Sequence, residues 1–366
     1  MNHRTVKALA ATTVAVVALA TLGAVFLFEN GDVVVLRVFT AGSLSELFTS
    51  GSGAVDVSSA FEAEHPGVEV RVLSGGSVDM VWRITGLGQS CDVLAVADYS
   101  LVPLMMINVT PRAANFVIEF AKNSLVIAYT EKSAHHEELA WTNWYDILRR
   151  PDVKVGMSNP NDDPCGYRTQ MSLVLAELYY DDPWIYDDLV LNNTNFLGVI
   201  HDPLGDTYTV LVPSRVEVKD ASRLMVRSAE VELMSALESG AIDYLFIYES
   251  VAERHAGSGV LYLELPQEIN LNDTALKSIY SRVRVTQFAD SPNADGANTV
   301  EGAPIIYGLT IPLSSEQPEL AEEFVAFLLG PKGQEIARAA GLELLVPPNA
   351  GYWRSMVPSS LRGFVQ

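Results

Sequence analysis

The chain has 366 residues, of which 49% are hydrophobic and 19% are charged. It is therefore long and apolar enough for two lobes with buried cores, and its composition excludes global disorder. Asp and Glu total 45 against 24 Lys and Arg, and the formal net charge of −21 excludes nucleic acid and anionic membrane as main partners. Because this charge also repels anions, any anion site must act locally, within a screening length of about 8–10 Å.

The first predicted element is an export signal. Arg4 and Lys7 precede an uncharged run from Ala8 to Phe28. A basic flank before an apolar stretch indicates a signal peptide, and this run is also long enough to be an uncleaved membrane anchor. We predict that residues 1–31 direct export and that the rest of the chain lies outside the cell membrane.

Two strand–turn–helix units follow. Residues 32–39 are rich in β-branched side chains and predict a strand, and Ser43 and Glu46 have the spacing of a capping box, which predicts a helix beginning at Ser43. Residues 68–73 predict a second strand, followed by a helix beginning at Ser77. Repeated units of this kind predict an α/β fold with mostly parallel sheets. Ligands bind beyond the carboxyl ends of such strands, where both serines lie.

The later elements repeat this pattern, and Gly240 is the predicted end of a helix. Further strands are predicted at residues 93–97, 125–129, 153–157, 244–248 and 304–311. Further helices are predicted at residues 59–65, 230–238, 318–329 and 332–340, and another follows the turn at residues 158–168 and ends at about residue 180.

The familiar catalytic motifs are missing from the sequence. It has no G-x-x-x-x-G-K-[ST] phosphate loop, no G-x-S-x-G turn, no CxxC and no H-E-x-x-H. We therefore predict a binding protein that is not an enzyme and has no cofactor. Cys91 and Cys165 are expected to be buried free thiols, although an exported protein could oxidise them. Asn108, Asn192 and Asn272 each begin an Asn-x-Thr sequon and are possible glycan sites.

Hydroxyls and carboxylates at the strand-to-helix turns are the remaining candidates for chemistry. Ser43 and Ser77 would each offer a hydroxyl beside backbone N–H groups, and a helix N-terminus attracts anions. Asp162 and Asp163 open another helix after an unusually polar turn. Plain helix capping is the alternative interpretation of all four residues.

In these segments the chain resembles the archaeal tungstate/molybdate-binding proteins, the substrate-capturing subunits of ABC importers. The resemblance extends over about residues 35–348, and its most specific part is SNPNDDPCGYR at residues 158–168. The other matching segments are AGSL at 41–44, GS at 76–77, DVLAVADY at 92–99, FAKNSLVIAY at 120–129, residues 143–148, ESGAIDYLFIYES at 238–250, residues 265–271 and residues 306–312.

The resemblance implies a two-lobed, type II periplasmic-binding-protein-like fold, with the ligand in the cleft. It implies that residues 32–120 and 276–366 form lobe 1 and that residues 121–275 form lobe 2. Matching motif to motif, it assigns these roles: Ser43, Ser77 and Tyr248 hydrogen-bond the oxyanion, and Asp163 and Glu230 bind the metal atom and raise its coordination to six.

Two of these assignments have a neighbouring alternative, Asp162 for Asp163 and Glu232 for Glu230. The two carboxylates are expected to reach the metal from opposite walls of the cleft. At 4 Å and an effective dielectric near 20, each carboxylate would repel an anion by roughly 4 kcal/mol per unit charge. Such a pair is useful only if it bonds to the central atom, which W(VI) and Mo(VI) allow and the sulfur of sulfate does not. The pair would then select against the wrong anion.

The expected partners are a small oxyanion and the membrane permease of an ABC importer, and the protein is expected to be an exported monomer that contacts no nucleic acid. One alternative is a binding protein for another oxyanion, such as sulfate. The other is a secreted hydrolase that uses Asp163 and Glu230 as acid and base.

Overall fold

The structure is a computed structural model that describes residues 33–51, 54–289 and 298–366. The predicted export segment lies outside these residues. Within the described ranges no helix combines the length and the hydropathy needed to cross a membrane.

The described residues form strands and helices that alternate along most of the chain. The strands are Val34–Ala41 (β1), Val68–Gly75 (β2), Val93–Val96 (β3), Ile118–Lys122 (β4), Leu125–Thr130 (β5), Val155–Ser158 (β6), Gly198–Asp202 (β7), Thr207–Leu211 (β8), Leu224–Arg227 (β9), Tyr244–Tyr248 (β10), Val260–Glu264 (β11), Val283–Thr286 (β12), Thr299–Glu301 (β13), Ile306–Thr310 (β14) and Glu343–Asn349 (β15). The α-helices are Ser45–Phe48, Val57–Glu64, Ser77–Thr85, Trp144–Leu148, Pro164–Tyr180, Met234–Ser239, Glu249–Arg254, Gln267–Asn270, Lys277–Tyr280, Pro318–Leu329 and Pro331–Ala339.

Two sheets with flanking helices form the two lobes. The first sheet has the order β15-β4-β14-β3-β1-β2, and we call it, with the helices packed on it, the first lobe. The second sheet has the order β11-β5-β10-β6-β9 and is the core of the second lobe. The chain passes from the first sheet to the second between β4 and β5, through Asn123 and Ser124. The predicted two-lobed α/β fold is confirmed.

Both sheets contain parallel and antiparallel strand pairs, so the prediction that they are mostly parallel is wrong. β1 is parallel to β2 and β3, and β6 is parallel to β9 and β10. However, β14 is antiparallel to both β3 and β4, and β5 is antiparallel to both β10 and β11. The antiparallel pairs arise where the chain leaves one lobe or returns to it, because a crossing strand enters its sheet against the direction of the βα units.

A third, four-stranded sheet of order β13-β12-β8-β7 was not predicted. Its strands are short and most of their side chains reach solvent, so they lack the apolar pattern that reveals a buried strand. It joins strands from both sides of residue 276, the limit expected for the second lobe. The proposed lobe limits stay a prediction.

Most predicted elements of the two lobes are confirmed, and Gly240 ends its helix with φ 77°. The prediction of a capping box and of a helix that begins at Ser43 is wrong. The chain already turns at Gly42–Leu44, a 3-10 turn, before the helix Ser45–Phe48 begins. Ser43 therefore lies inside the first turn, and its side chain caps nothing.

Candidate functional site

Two buried serines end adjacent parallel strands of the first lobe. Ser77 follows β2, and its Oγ accepts a hydrogen bond from the Ala97 N–H at 3.0 Å. Ser43 follows β1, and its Oγ makes no hydrogen bond of good geometry with the residues that the structure describes. It lies close to the hydroxyl of Tyr307 on β14, whose pKa is raised to about 12 by burial. Neither hydroxyl caps its own helix, so the capping interpretation of these serines does not hold.

Asp163 lies on the opposite side of the cleft, at the N-cap of the helix Pro164–Tyr180. Only 2% of the residue is exposed, and its side chain makes no capping hydrogen bond. Instead, its Oδ2 accepts a hydrogen bond from the backbone N–H of Glu230 at 3.3 Å. Burial raises the pKa of this carboxyl group.

Glu230 begins a 3-10 turn shortly after β9, and its side chain faces Asp163. The residue is 1% exposed, and neither of its carboxyl oxygens accepts a hydrogen bond from the described residues. Burial first, and the charge of Asp163 second, hold the pKa of Glu230 well above its usual value. Two buried carboxyl groups that face each other are costly to ionise together, so the pairing of Asp163 with Glu230 requires an explanation.

Strand pairing explains why two residues 67 positions apart meet. β6 and β9 are parallel neighbours, with Ser158 opposite Arg227 at their ends. The turns that follow these two strands therefore lie side by side. Asp163 belongs to the first turn and Glu230 to the second, as expected at the carboxyl edge of a parallel pair.

The neighbouring alternatives occupy different positions. Asp162 is half-buried, and its carboxylate accepts a hydrogen bond from the Asn159 side chain at 2.7 Å. Glu232 is exposed. The structure thus brings Asp163 and Glu230 together and leaves their neighbours outside. The expectation that the two carboxylates come from opposite walls is wrong, since both belong to the second lobe and the serines to the first.

Tyr248 ends β10 and is joined to both lobes through Arg168, which was not among the predicted site residues. One guanidinium nitrogen of Arg168 donates to the Tyr248 hydroxyl and to the Ala97 carbonyl, both at 2.7 Å. The other lies 3.3 Å from the Asp98 carboxylate, so this buried cation is paired. Because the Tyr248 oxygen accepts from Arg168, its own O–H is available to donate. The only signal for Arg168 was its place in the segment at residues 158–168.

The lobes are packed closely around this site. The carbonyl oxygen of Asp162 in the second lobe accepts hydrogen bonds from the N–H groups of Val78 and Asp79 in the first, at 3.1 and 3.3 Å. A Cβ on Gly76 would overlap that same carbonyl, and a Cβ on Gly42 would lie 2.8 Å from the Val231 side chain. Glycine at both positions lets the two walls approach.

We expect Gly76→Ala to weaken ligand binding by tenfold or more while each lobe stays folded. The added methyl would collide with the backbone of the opposite lobe in the closed form, and overpacking of this kind typically costs about 1–3 kcal/mol. Titration calorimetry measures the affinity. Gly257→Ala is the matched control, because a Cβ there meets nothing within 4 Å. Equal affinity in the two variants would contradict this description of the closed form.

A two-lobed α/β fold with a buried polar site between its lobes is typical of the solute-binding proteins. The comparison with protein families agrees: the chain belongs to the bacterial extracellular solute-binding proteins, whose family model matches residues 36–343. Among solved structures, the sulfate-binding protein SubI from Mycobacterium tuberculosis shares the fold with a TM-score of 0.53. It is 15% identical, over 86% of this chain and 88% of that one.

Relatives with higher identity are archaeal. An uncharacterized solute-binding protein of Methanococcus maripaludis strain C5 is 41% identical over 86% of this chain and 84% of its own length. The molybdate/tungstate-binding protein WtpA of Pyrococcus abyssi is 38% identical over 90% of each chain. The resemblance inferred from the sequence motifs is therefore confirmed.

Proposed function

We propose that the protein captures molybdate or tungstate between its lobes and delivers it to the membrane permease of an ABC importer. The name of the Pyrococcus abyssi relative supports this ligand class. The observation that carries the proposal is the pair of buried carboxyl groups, Asp163 and Glu230, held together beside the turn that contains Ser43.

The donor set supports a ligand whose central atom accepts oxygen. A site for an ordinary oxyanion needs only hydrogen-bond donors, which Ser43, Ser77, Tyr248 and the neighbouring N–H groups provide. Two carboxylates add repulsion of roughly 4 kcal/mol each per unit charge at 4 Å. A hexavalent metal converts that repulsion into bonding, because each carboxylate contributes an oxygen to an expanded coordination shell. In this proposal Asp163 and Glu230 make those two bonds, both from the second lobe.

The same geometry favours binding over hydrolysis. The two carboxyl groups of glycosidases lie about 5–9.5 Å apart, on either side of the scissile bond. Asp163 and Glu230 face each other on one wall of the cleft, with the Glu230 backbone N–H 3.3 Å from Asp163 Oδ2, so they do not lie on either side of a bound sugar. We therefore propose a binding protein that is not an enzyme and needs no cofactor.

The proposal includes a location and a set of partners. The family is extracellular, which supports a site of action outside the cell membrane. There the protein would act as a monomer, secreted or held at the membrane by its N-terminal segment, and would dock on the importer's permease. The net charge of −21 supports the absence of nucleic acid among its partners.

Titration calorimetry with tungstate, molybdate and sulfate tests the function. We expect the two metal oxyanions to bind at least roughly 100-fold more tightly than sulfate, since sulfate meets the repulsion of the carboxylates without forming the bonds. The buffer must be free of competing oxyanions. Sulfate binding as tight as tungstate binding would contradict the coordination chemistry and leave a general anion-binding protein.

A further inference from the structure

Arg254 reaches from one lobe to the other directly beside the proposed oxyanion site. It ends the helix Glu249–Arg254, which follows Tyr248 in the second lobe. Its guanidinium donates to the carbonyl of Ser43 at 3.0 Å and to the carbonyl of Ala340 at 2.9 Å. Ser43 follows β1, and Ala340 caps the helix Pro331–Ala339, so both acceptors belong to the first lobe.

The guanidinium group of Arg254 is enclosed where the two lobes meet. Its Nε is buried and has no hydrogen-bond partner among the described residues. Beside it, the lobes approach closely at Gly341, where a Cβ would lie 3.6 Å from the Ser250 carbonyl. The positive charge of Arg254 also acts on Glu230.

We propose that Arg254 is a positioning residue that holds the closed, occupied form together. It fixes the turn bearing Ser43 against the wall that carries Asp163 and Glu230, and so slows release of the oxyanion. The identity of the ligand rests on the proposed function. The role of Arg254 rests on the two carbonyl contacts across the cleft.

This arrangement has a kinetic consequence. The two hydrogen bonds require the lobes to be together, so they stabilise the closed complex and not the open form that a ligand enters. Loss of the bonds should therefore appear in the dissociation rate, while the association rate stays nearly unchanged. A residue that only stabilises one lobe would change neither rate.

Stopped-flow kinetics with tungstate, on Arg254→Met, Arg254→Lys and a control, test the proposal. Hydrogen bonds from a charged donor predict that Arg254→Met releases tungstate roughly 10- to 100-fold faster, with an association rate within about threefold of the unaltered protein. Arg254→Lys keeps the charge but cannot span both carbonyls as a fork, so its release rate should be intermediate.

Arg223 provides the matched control. Its guanidinium also donates to backbone carbonyls, those of Leu148, Arg149 and Val153, but all of them lie within the second lobe. Arg223→Met should lower thermal stability and leave tungstate release unchanged.

Unchanged release from the Arg254 variants would overturn the proposal, and so would equal acceleration in Arg223→Met. If Arg254→Met does not fold, Arg254→Lys decides alone, since release at the rate of the unaltered protein contradicts the proposal. Failure of the unaltered protein to bind tungstate would overturn the proposed function instead.

Discussion

Asp163→Asn is expected to weaken tungstate binding by about 30- to 3000-fold, equivalent to roughly 2–5 kcal/mol, while sulfate binding stays the same or improves. The substitution keeps the size of the side chain at the start of the helix Pro164–Tyr180 and removes only its charge. Tungstate loses a bond to its metal, whereas sulfate loses a repulsion of roughly 4 kcal/mol per unit charge. Calorimetry with both anions measures the two effects.

Asp162→Asn is the matched control for this substitution. Asp162 precedes Asp163 in the same turn, but its carboxylate binds the Asn159 amide and its role across the cleft is that of a backbone carbonyl. Tungstate affinity should change by less than about threefold. A parallel loss of tungstate and sulfate binding in Asp163→Asn would show that Asp163 only shapes the turn.

Glu230→Gln is expected to raise the thermal stability of the ligand-free protein at pH 8 and to have little effect near pH 4. In the closed form, burial and the charge of Asp163 raise the pKa of Glu230, and Asp163 stays beside it when the lobes part because both belong to the second lobe, whereas an unfolded Glu titrates near pH 4.3. A raised folded pKa gives stability that is complete below the unfolded value and is lost as the pH rises through the folded value. Gln stays neutral throughout, so the variant avoids that loss.

The expected gain at pH 8 is roughly 1–3 kcal/mol in the free energy of unfolding, or a few degrees in Tm. Scanning calorimetry from pH 4 to pH 8 measures it, with Glu232→Gln, at an exposed neighbour, as the control. With saturating tungstate the unaltered protein should become more stable than the Glu230→Gln variant, because a ligand stabilises only a protein that binds it. If the Glu230→Gln variant is less stable than the unaltered protein at pH 8, the two buried carboxylates do not destabilise the ligand-free protein, and the prediction is wrong.

The sequence allowed the βα units and the serine turns to be predicted, for a physical reason. Strands buried on both faces, such as β3 and β10, appear in the sequence as continuous apolar runs, and the polar turns that follow them are easily distinguished from these runs. Ser43 and Ser77 could therefore be placed at a ligand edge without any resemblance. The capping box was misread because the same residue types occur in a cap and in a 3-10 turn that already precedes the helix.

The pairing of Asp163 with Glu230 could not be derived from residue types. It depends on β6 and β9 being neighbours, which is set by long-range packing, and only the resemblance to a family indicated it. The same limit explains the wrong placement of the two carboxylates on opposite walls. Arg254 gave no signal at all, since an Arg that ends a short helix is ordinary until its partners are known.

X-ray absorption at the tungsten edge, on the protein saturated with tungstate, tests the central claim most directly. We expect six oxygen neighbours around tungsten, four from the oxyanion and one each from Asp163 and Glu230, and a return towards four in the Asp163→Asn variant. A tungsten atom that keeps four oxygen neighbours in the unaltered protein would contradict metal coordination by these carboxylates.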